Sequence, residues 1–155
     1  MQQAQRYIVL LTSLLAIFAL AGCMHSPVSN TASGSPWGIE VWASDQCPNK
    51  DETMTLRATV TNNGSFSQSV LTQDHPVFDL LIHNGAKIER WSDNQPLTPE
   101  LTHLNLKPGE SKKIEMQYVA KQTIFQVEAL FYFDPQYSTS ATVFIGGNAC
   151  YSFGP

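Results

Sequence analysis

Three thiols, four imidazoles and thirteen acidic side chains are what this 155-residue chain offers for nucleophilic, metal or acid–base chemistry, and their spacing decides which of these is open to it. His75, His83 and His103, with Asp74 and Asp79 between them, match no standard ligand spacing, so separate surface residues are expected rather than a metal centre. Asp51 and Glu52 are adjacent beside a turn, and neighbours in extended chain point apart, so they do not form the facing carboxylates that acid–base hydrolysis uses. No GxSxG elbow, HExxH helix, P-loop or dinucleotide fingerprint occurs. The expectation is a protein that is not an enzyme and holds neither cofactor nor metal.

The cysteines carry more information. Arg6 is the one charged residue before an apolar run from Tyr7 to Leu20, which has the form of a secretory signal and is short of the roughly 20 residues that a spanning helix needs. Leu20-Ala21-Gly22-Cys23 follows directly and resembles a bacterial lipobox, in which a branched residue and two small ones precede the cysteine that is acylated after cleavage. Cys23 is therefore the expected lipidation site, with diacylglyceryl and N-acyl chains holding the protein to the membrane, since a single acyl chain binds only marginally. Met24 rather than Asp after the cysteine resembles outer-membrane sorting, facing the periplasm, if the cell has two membranes. With Cys23 acylated, Cys47 and Cys150 remain for a disulfide in an oxidising compartment. The alternative, two free or metal-binding thiols, lacks any CxxC or CxH spacing.

Removing the 22 signal residues takes Arg6 with it and leaves 133 residues, in which 8 basic side chains face 13 acidic ones. That balance of −5, without a basic patch, excludes nucleic acid as the expected partner. One domain is expected at 37–155, after a signal segment at 1–22 and a lipidated, Ser-, Pro- and Thr-rich flexible tether at 23–36.

The elements that must position any site read as strands. Met54, Leu56, Ala58 and Val60 alternate with Thr55, Arg57, Thr59 and Thr61, the pattern of a half-buried antiparallel strand. Similar alternation appears at 38–43, 77–83, 112–119, 123–133 and 139–145, with shorter candidates at 67–71, 87–91 and 104–106. Asn62-Asn63-Gly64 suggests a tight turn of positive φ, Asn84-Gly85 a hairpin, and Pro108-Gly109 a turn with Gly at its third position. Eight or nine short strands with no substantial helix predict an all-β, immunoglobulin-like two-sheet antiparallel β-sandwich.

Val60-Thr61-Asn62, Phe78-Asp79-Leu80, Asn84-Gly85, Ile88-Glu89-Arg90-Trp91-Ser92 and Pro108-Gly109-Glu110 follow one another in an order that resembles the bacterial intracellular proteinase inhibitor family, BsuPI. The likeness runs from Leu56 to Tyr118. Glu89 stands where that family often has a tryptophan, and 97–99 follows its pattern loosely. The resemblance implies an immunoglobulin-like sandwich that docks a protein, with an extracytoplasmic proteinase as the implied partner for an exported member. It draws attention to Asp79, Arg90, Trp91 and Ser92 as candidate partner-binding residues. Each has a structural alternative: Trp91 as core, and Asp79 paired with Arg90 across the hairpin. The long polar segment from Ser92 to Glu100 is the place where a binding loop is expected first, with Gly64 to Gln73 as the alternative. The competing expectation is a structural or assembly accessory of the cell envelope that inhibits nothing.

Overall fold

The computed structural model of the chain describes residues 26–34, 36–134 and 137–150. Cys23, the signal segment 1–22 and the tail 151–155 lie outside them. The strands are β1 (Val28–Gly34), β2 (Trp37–Ala43), β3 (Thr53–Asn62), β4 (Gln68–Leu71), β5 (Phe78–Asn84), β6 (Lys87–Arg90), β7 (His103–Leu106), β8 (Ser111–Val119), β9 (Phe125–Asp134) and β10 (Tyr137–Ile145).

Alternation puts one apolar face on each of two sheets, and the faces must meet. The front sheet has the order β1-β2-β3-β8 and the back sheet β10-β9-β5-β6, all antiparallel. Between them lie Val41, Leu56 and Val60 from the front and Leu80, Ile82, Val127, Phe131 and Ile145 from the back, all fully buried. The crossings from β3 to β5, from β6 to β8 and from β8 to β9 give the strand order of an immunoglobulin-like sandwich, as the alternation predicts. A two-stranded ribbon, β4 with β7, adds Val70, Leu104 and Leu106 to the core.

The sandwich has two distinct ends. At one, Trp37 of β2 meets Phe131 of β9 edge to face at 5.0 Å, and the ribbon lies against the end of β3 through Asn62. At the other, Cys47 in the β2–β3 loop is bonded to Cys150 after β10, and the amide of Gly146 donates to the Gln46 carbonyl at 2.7 Å. Gly146 has φ +83°, and a Cβ there would lie 1.8 Å from the Thr123 carbonyl oxygen, so only glycine fits.

Three expectations are corrected. The flexible tether at 23–36 is structured over its second half: 28–34 form β1, paired along its length with β2 from Val28↔Ala43 to Gly34↔Trp37, so the domain begins near Val28 rather than at 37. Its apolar content is too small to reveal a strand, because an edge position asks only Val28 and Ala32 to be partly covered. Asn62-Asn63-Gly64 makes no positive-φ turn, because β3 does not reverse onto β4; the chain leaves the sheet for the ribbon. Asn84 stays in β5, opposite Lys87, and the two-residue hairpin loop is Gly85-Ala86 with Gly85 at φ +62°, a glycine-first turn of the II′ kind. Pro108-Gly109 behaves as expected, with Gly109 at φ +76° and the Glu110 amide donating to the Lys107 carbonyl at 3.0 Å.

Replacing Cys47 and Cys150 together by serine should lower the unfolding free energy by about 2–5 kcal/mol, because the bridge closes a loop of roughly 100 residues. The measurement is the denaturant midpoint of the domain with and without the bridge. An unchanged midpoint would mean that backbone bonds such as Gly146 to Gln46 hold this end alone.

Candidate functional site

β5 is buried on both faces near its start, which is unusual for a strand in a two-layer sandwich and marks where something covers the back sheet. Asp79 and Leu81 point away from the core yet are almost fully buried, at 1% and 4% exposure. The cover is the connection from β6 to β7. It opens with a 3₁₀ turn at Trp91–Asn94 and closes with a single helical turn at Pro99–Thr102.

Asp79 pins the start of that connection. Its Oδ2 accepts the Ser92 hydroxyl at 2.6 Å, and its Oδ1 accepts the amides of Leu80 at 2.9 Å and Ser92 at 3.2 Å. Arg90 lies farther off, with Nη1 at 3.7 Å, and its side chain is 41% exposed. Asp93 accepts the Arg90 amide at 3.1 Å and so tightens the turn. Trp91 is half-buried and packs against the core cluster. Of the four residues singled out from the sequence, the cluster thus brings all together, but it buries Asp79 out of reach of a partner and gives Trp91 mainly to packing. The expected Asp79–Arg90 pair is present, and Ser92 is the closer partner. β5–β6 pairing ends with Arg90 opposite Leu81, and the 3₁₀ turn that follows carries Ser92 onto Asp79.

The far end of the connection is held as firmly. The amides of Thr72 and Val77 donate to the carbonyls of Thr102 and Leu101 at 2.9 and 2.7 Å, joining the segment after β4 to the single helical turn. Asn62 anchors the other side of the ribbon: its Nδ2 donates to the carbonyls of Phe66 and Leu106 at 2.8 and 2.9 Å, and its Oδ1 accepts the Gly64 amide at 2.9 Å. Between these braces stand three large apolar side chains in water, Phe66 at 78% exposure, Leu71 at 63% and Leu97 at 50%. Phe66 lies in the expected loop 64–73, Leu71 ends the strand β4 that the structure places within it, and Leu97 lies in 92–100. A hydrogen bond from Thr98 holds the Glu100 carboxyl below the usual carboxylate range beside them. The arrangement offers a braced, partly apolar surface.

The titratable residues are dispersed. His83 meets Glu128 at 2.8 Å, His75 lies against the Tyr132 ring at 4.2 Å, and His103 shares a hydrogen bond with Ser69 at 3.0 Å. Among the described residues no three His, Cys, Asp or Glu side chains come close enough to share a metal ion. A polar cluster that the sequence did not signal sits on the opposite, disulfide-bearing end. Asn84 donates to Tyr118 at 2.7 Å and to Glu89 at 3.1 Å and accepts from Gln122 at 3.0 Å, while Lys121 reaches Glu89 at 2.6 Å. The Lys121 ammonium holds Glu89 below the ordinary carboxylate range, and Glu89 in turn raises Lys121. Glu89, at the position where a tryptophan is common in the resembled family, is thus a rim residue in an ion pair.

The chain matches no family model and no curated protein. In structure it is similar to part of the β-glucosidase from Listeria innocua in complex with gluconolactone, with 11% identity and a TM-score of 0.32, over 80% of this chain and 16% of that one. The chain therefore spans about a sixth of that enzyme, and a likeness at this score carries no inference about activity. The BsuPI resemblance rests on the residues quoted for it.

Ser92→Ala should cost about 1–3 kcal/mol, because it leaves a buried carboxylate oxygen without its short bond, whereas Arg90→Ala, half in solvent, should cost under about 1 kcal/mol. Denaturant unfolding of the two variants gives the order, and a larger loss for Arg90 would contradict the assignment of Ser92 as the main partner. Glu89 has a folded pKa below its unfolded one. Its stabilisation is complete above the ordinary carboxylate pKa and disappears as pH falls through the depressed value. Glu89→Gln should therefore be less stable than the parent at neutral pH and equal to it in strong acid; a difference that persists in acid would mean that packing rather than charge is lost.

Proposed function

We propose that the protein is a lipoprotein of the bacterial envelope, acylated on Cys23, whose immunoglobulin-like domain docks a protein partner through the braced loops 64–73 and 92–100. The reading rests on one observation above the others: Phe66, Leu71 and Leu97 are exposed on segments that Asp79, Asn62 and the amide bonds of Thr72 and Val77 hold in place. Large apolar side chains on a rigid frame suit a partner interface, since little ordering is lost on binding. The BsuPI resemblance supplies the class of partner, an extracytoplasmic proteinase, and the mode, occupation of its substrate cleft. Export with a disulfide, as the Cys47–Cys150 bond in the fold suits, agrees with that setting.

A second reading has its own support. Asp79 is buried and Trp91 packs inward, so the residues that best carry the family resemblance serve the fold. A scaffold for envelope assembly that inhibits nothing needs only the same frame.

Inhibition panels with subtilisin-like and trypsin-like proteinases separate the two, using a soluble form starting at Met24 with the disulfide intact. The inhibitor reading expects tight inhibition with the protein uncleaved, lost at least tenfold in Leu71→Ser or Leu97→Ser while the melting temperature stays constant. Absence of inhibition at micromolar concentration would sink it for those classes. The scaffold reading then expects a stable envelope partner on crosslinking in cells.

A further inference from the structure

β1 does more than extend the front sheet: it decides at which end the chain enters the domain. Antiparallel pairing sets Val28 opposite Ala43, at the end of β2 that leads to Cys47, and the Gln46 amide donates to the Ser26 carbonyl at 2.9 Å. Ser26 is thus held at the disulfide-bearing end, and Cys23 precedes it by three positions. Three residues reach at most about 10 Å. The sandwich is far longer than that reach, since the 10-residue β3 alone extends about 33 Å at some 3.3 Å per residue. A lipid on Cys23 would therefore hold the disulfide-bearing end, and not the ribbon end, next to its point of attachment in the bilayer.

The disulfide-bearing end also carries its own exposed apolar side chains. Phe144 is 69% exposed and Ile124 61%; Phe144 stands opposite Gln126, next to the last rung of the back sheet, Ile145↔Phe125, and Ile124 immediately precedes that rung. Val119, 46% exposed, stands opposite Thr53 at the same end of the front sheet. Charges there are mixed, with Lys50 beside Asp51 and Glu52 and Lys121 paired to Glu89, so the surface is suited to the apolar boundary of a membrane more than to anionic headgroups.

We propose that the disulfide-bearing end of the domain lies on the lipid surface, seated by Ile124 and Phe144, and that loops 64–73 and 92–100 point away from the membrane. The inference rests on the acylation of Cys23 proposed above. Its test uses the exported, acylated full-length protein in vesicles of phosphatidylethanolamine and phosphatidylglycerol, with a fluorophore on Ile124→Cys or, separately, on Leu71→Cys, and nitroxide-bearing lipid as quencher. Quenching at 124 is expected to exceed that at 71 severalfold, to fall by half or more with Phe144→Ser, and to stay level as the phosphatidylglycerol fraction is varied. Equal quenching at the two positions in protein whose Cys23 acylation is verified by mass overturns the orientation and leaves the lipoprotein reading intact. Failure to find acyl chains on Cys23 overturns both. Loss of quenching at 124 when phosphatidylglycerol is withdrawn overturns the apolar seat in favour of a charge-held one.

Discussion

Face-to-face burial of two alternating sheets is the constraint on which everything else in this molecule depends. Val41, Leu56, Val60, Leu80, Ile82, Val127, Phe131 and Ile145 leave water only if the front and back sheets lie about 10 Å apart with their strands nearly aligned. A sandwich closed in that way still has two open ends, where inward residues would meet solvent. The rest of the chain consists largely of solutions to that problem. At one end the Trp37–Phe131 pair closes the gap, and the β4–β7 ribbon adds Val70, Leu104 and Leu106 to the buried cluster. At the other the Cys47–Cys150 bond and the Asn84–Tyr118 bond draw the two sheets together.

The buried polar residues follow from the same closure. Wherever a connection must cross an end, its backbone groups lose water, and an unpaired one costs about 1–3 kcal/mol. Asn62 answers this for the ribbon with three hydrogen bonds to main-chain groups. Asp79 answers it for the start of the β6–β7 connection, accepting two amides and a hydroxyl. Both lie in the tract that resembles BsuPI, and in this chain both are explained by the architecture. A likeness built on such residues is an argument for shared fold before it is an argument for shared partner.

This also explains what could be read in the sequence. Strands with one buried face were legible from periodicity: β3 runs Met54, Leu56, Ala58, Val60 inward without interruption, and β9 does the same from Phe125 to Phe131. β1 was not legible, because an edge strand owes its pairing to the backbone of β2 and needs almost no apolar pattern of its own. The Asn84-Gly85 signal located the hairpin but not its register. Asn84 is held in the strand by Tyr118, Glu89 and Gln122, partners that lie 34, 5 and 38 residues away. Of the candidate site, the 92–100 connection was legible from composition, whereas residues 68–71 within 64–73 are held as β4 by pairing with β7. The burial of Asp79 was not, since it depends on a cover that only the tertiary structure supplies.

The pairing of β1 gives the domain a polarity that its apolar content alone would not. Exposed apolar side chains occur at both ends, Phe66, Leu71 and Leu97 near the ribbon and Val119, Ile124 and Phe144 near the disulfide. By hydrophobicity either group would serve a lipid surface or a protein partner. Because β1 is antiparallel to β2, the chain must enter where β2 leaves, beside Gln46 and the disulfide, so the acylation proposed on Cys23, three residues before Ser26, would keep that end nearest the membrane. Had β1 paired in the opposite direction, the same tether would press Phe66 and Leu97 against the bilayer. Under the proposed anchoring, the direction of one polar edge strand therefore decides which apolar surface faces away from the lipid.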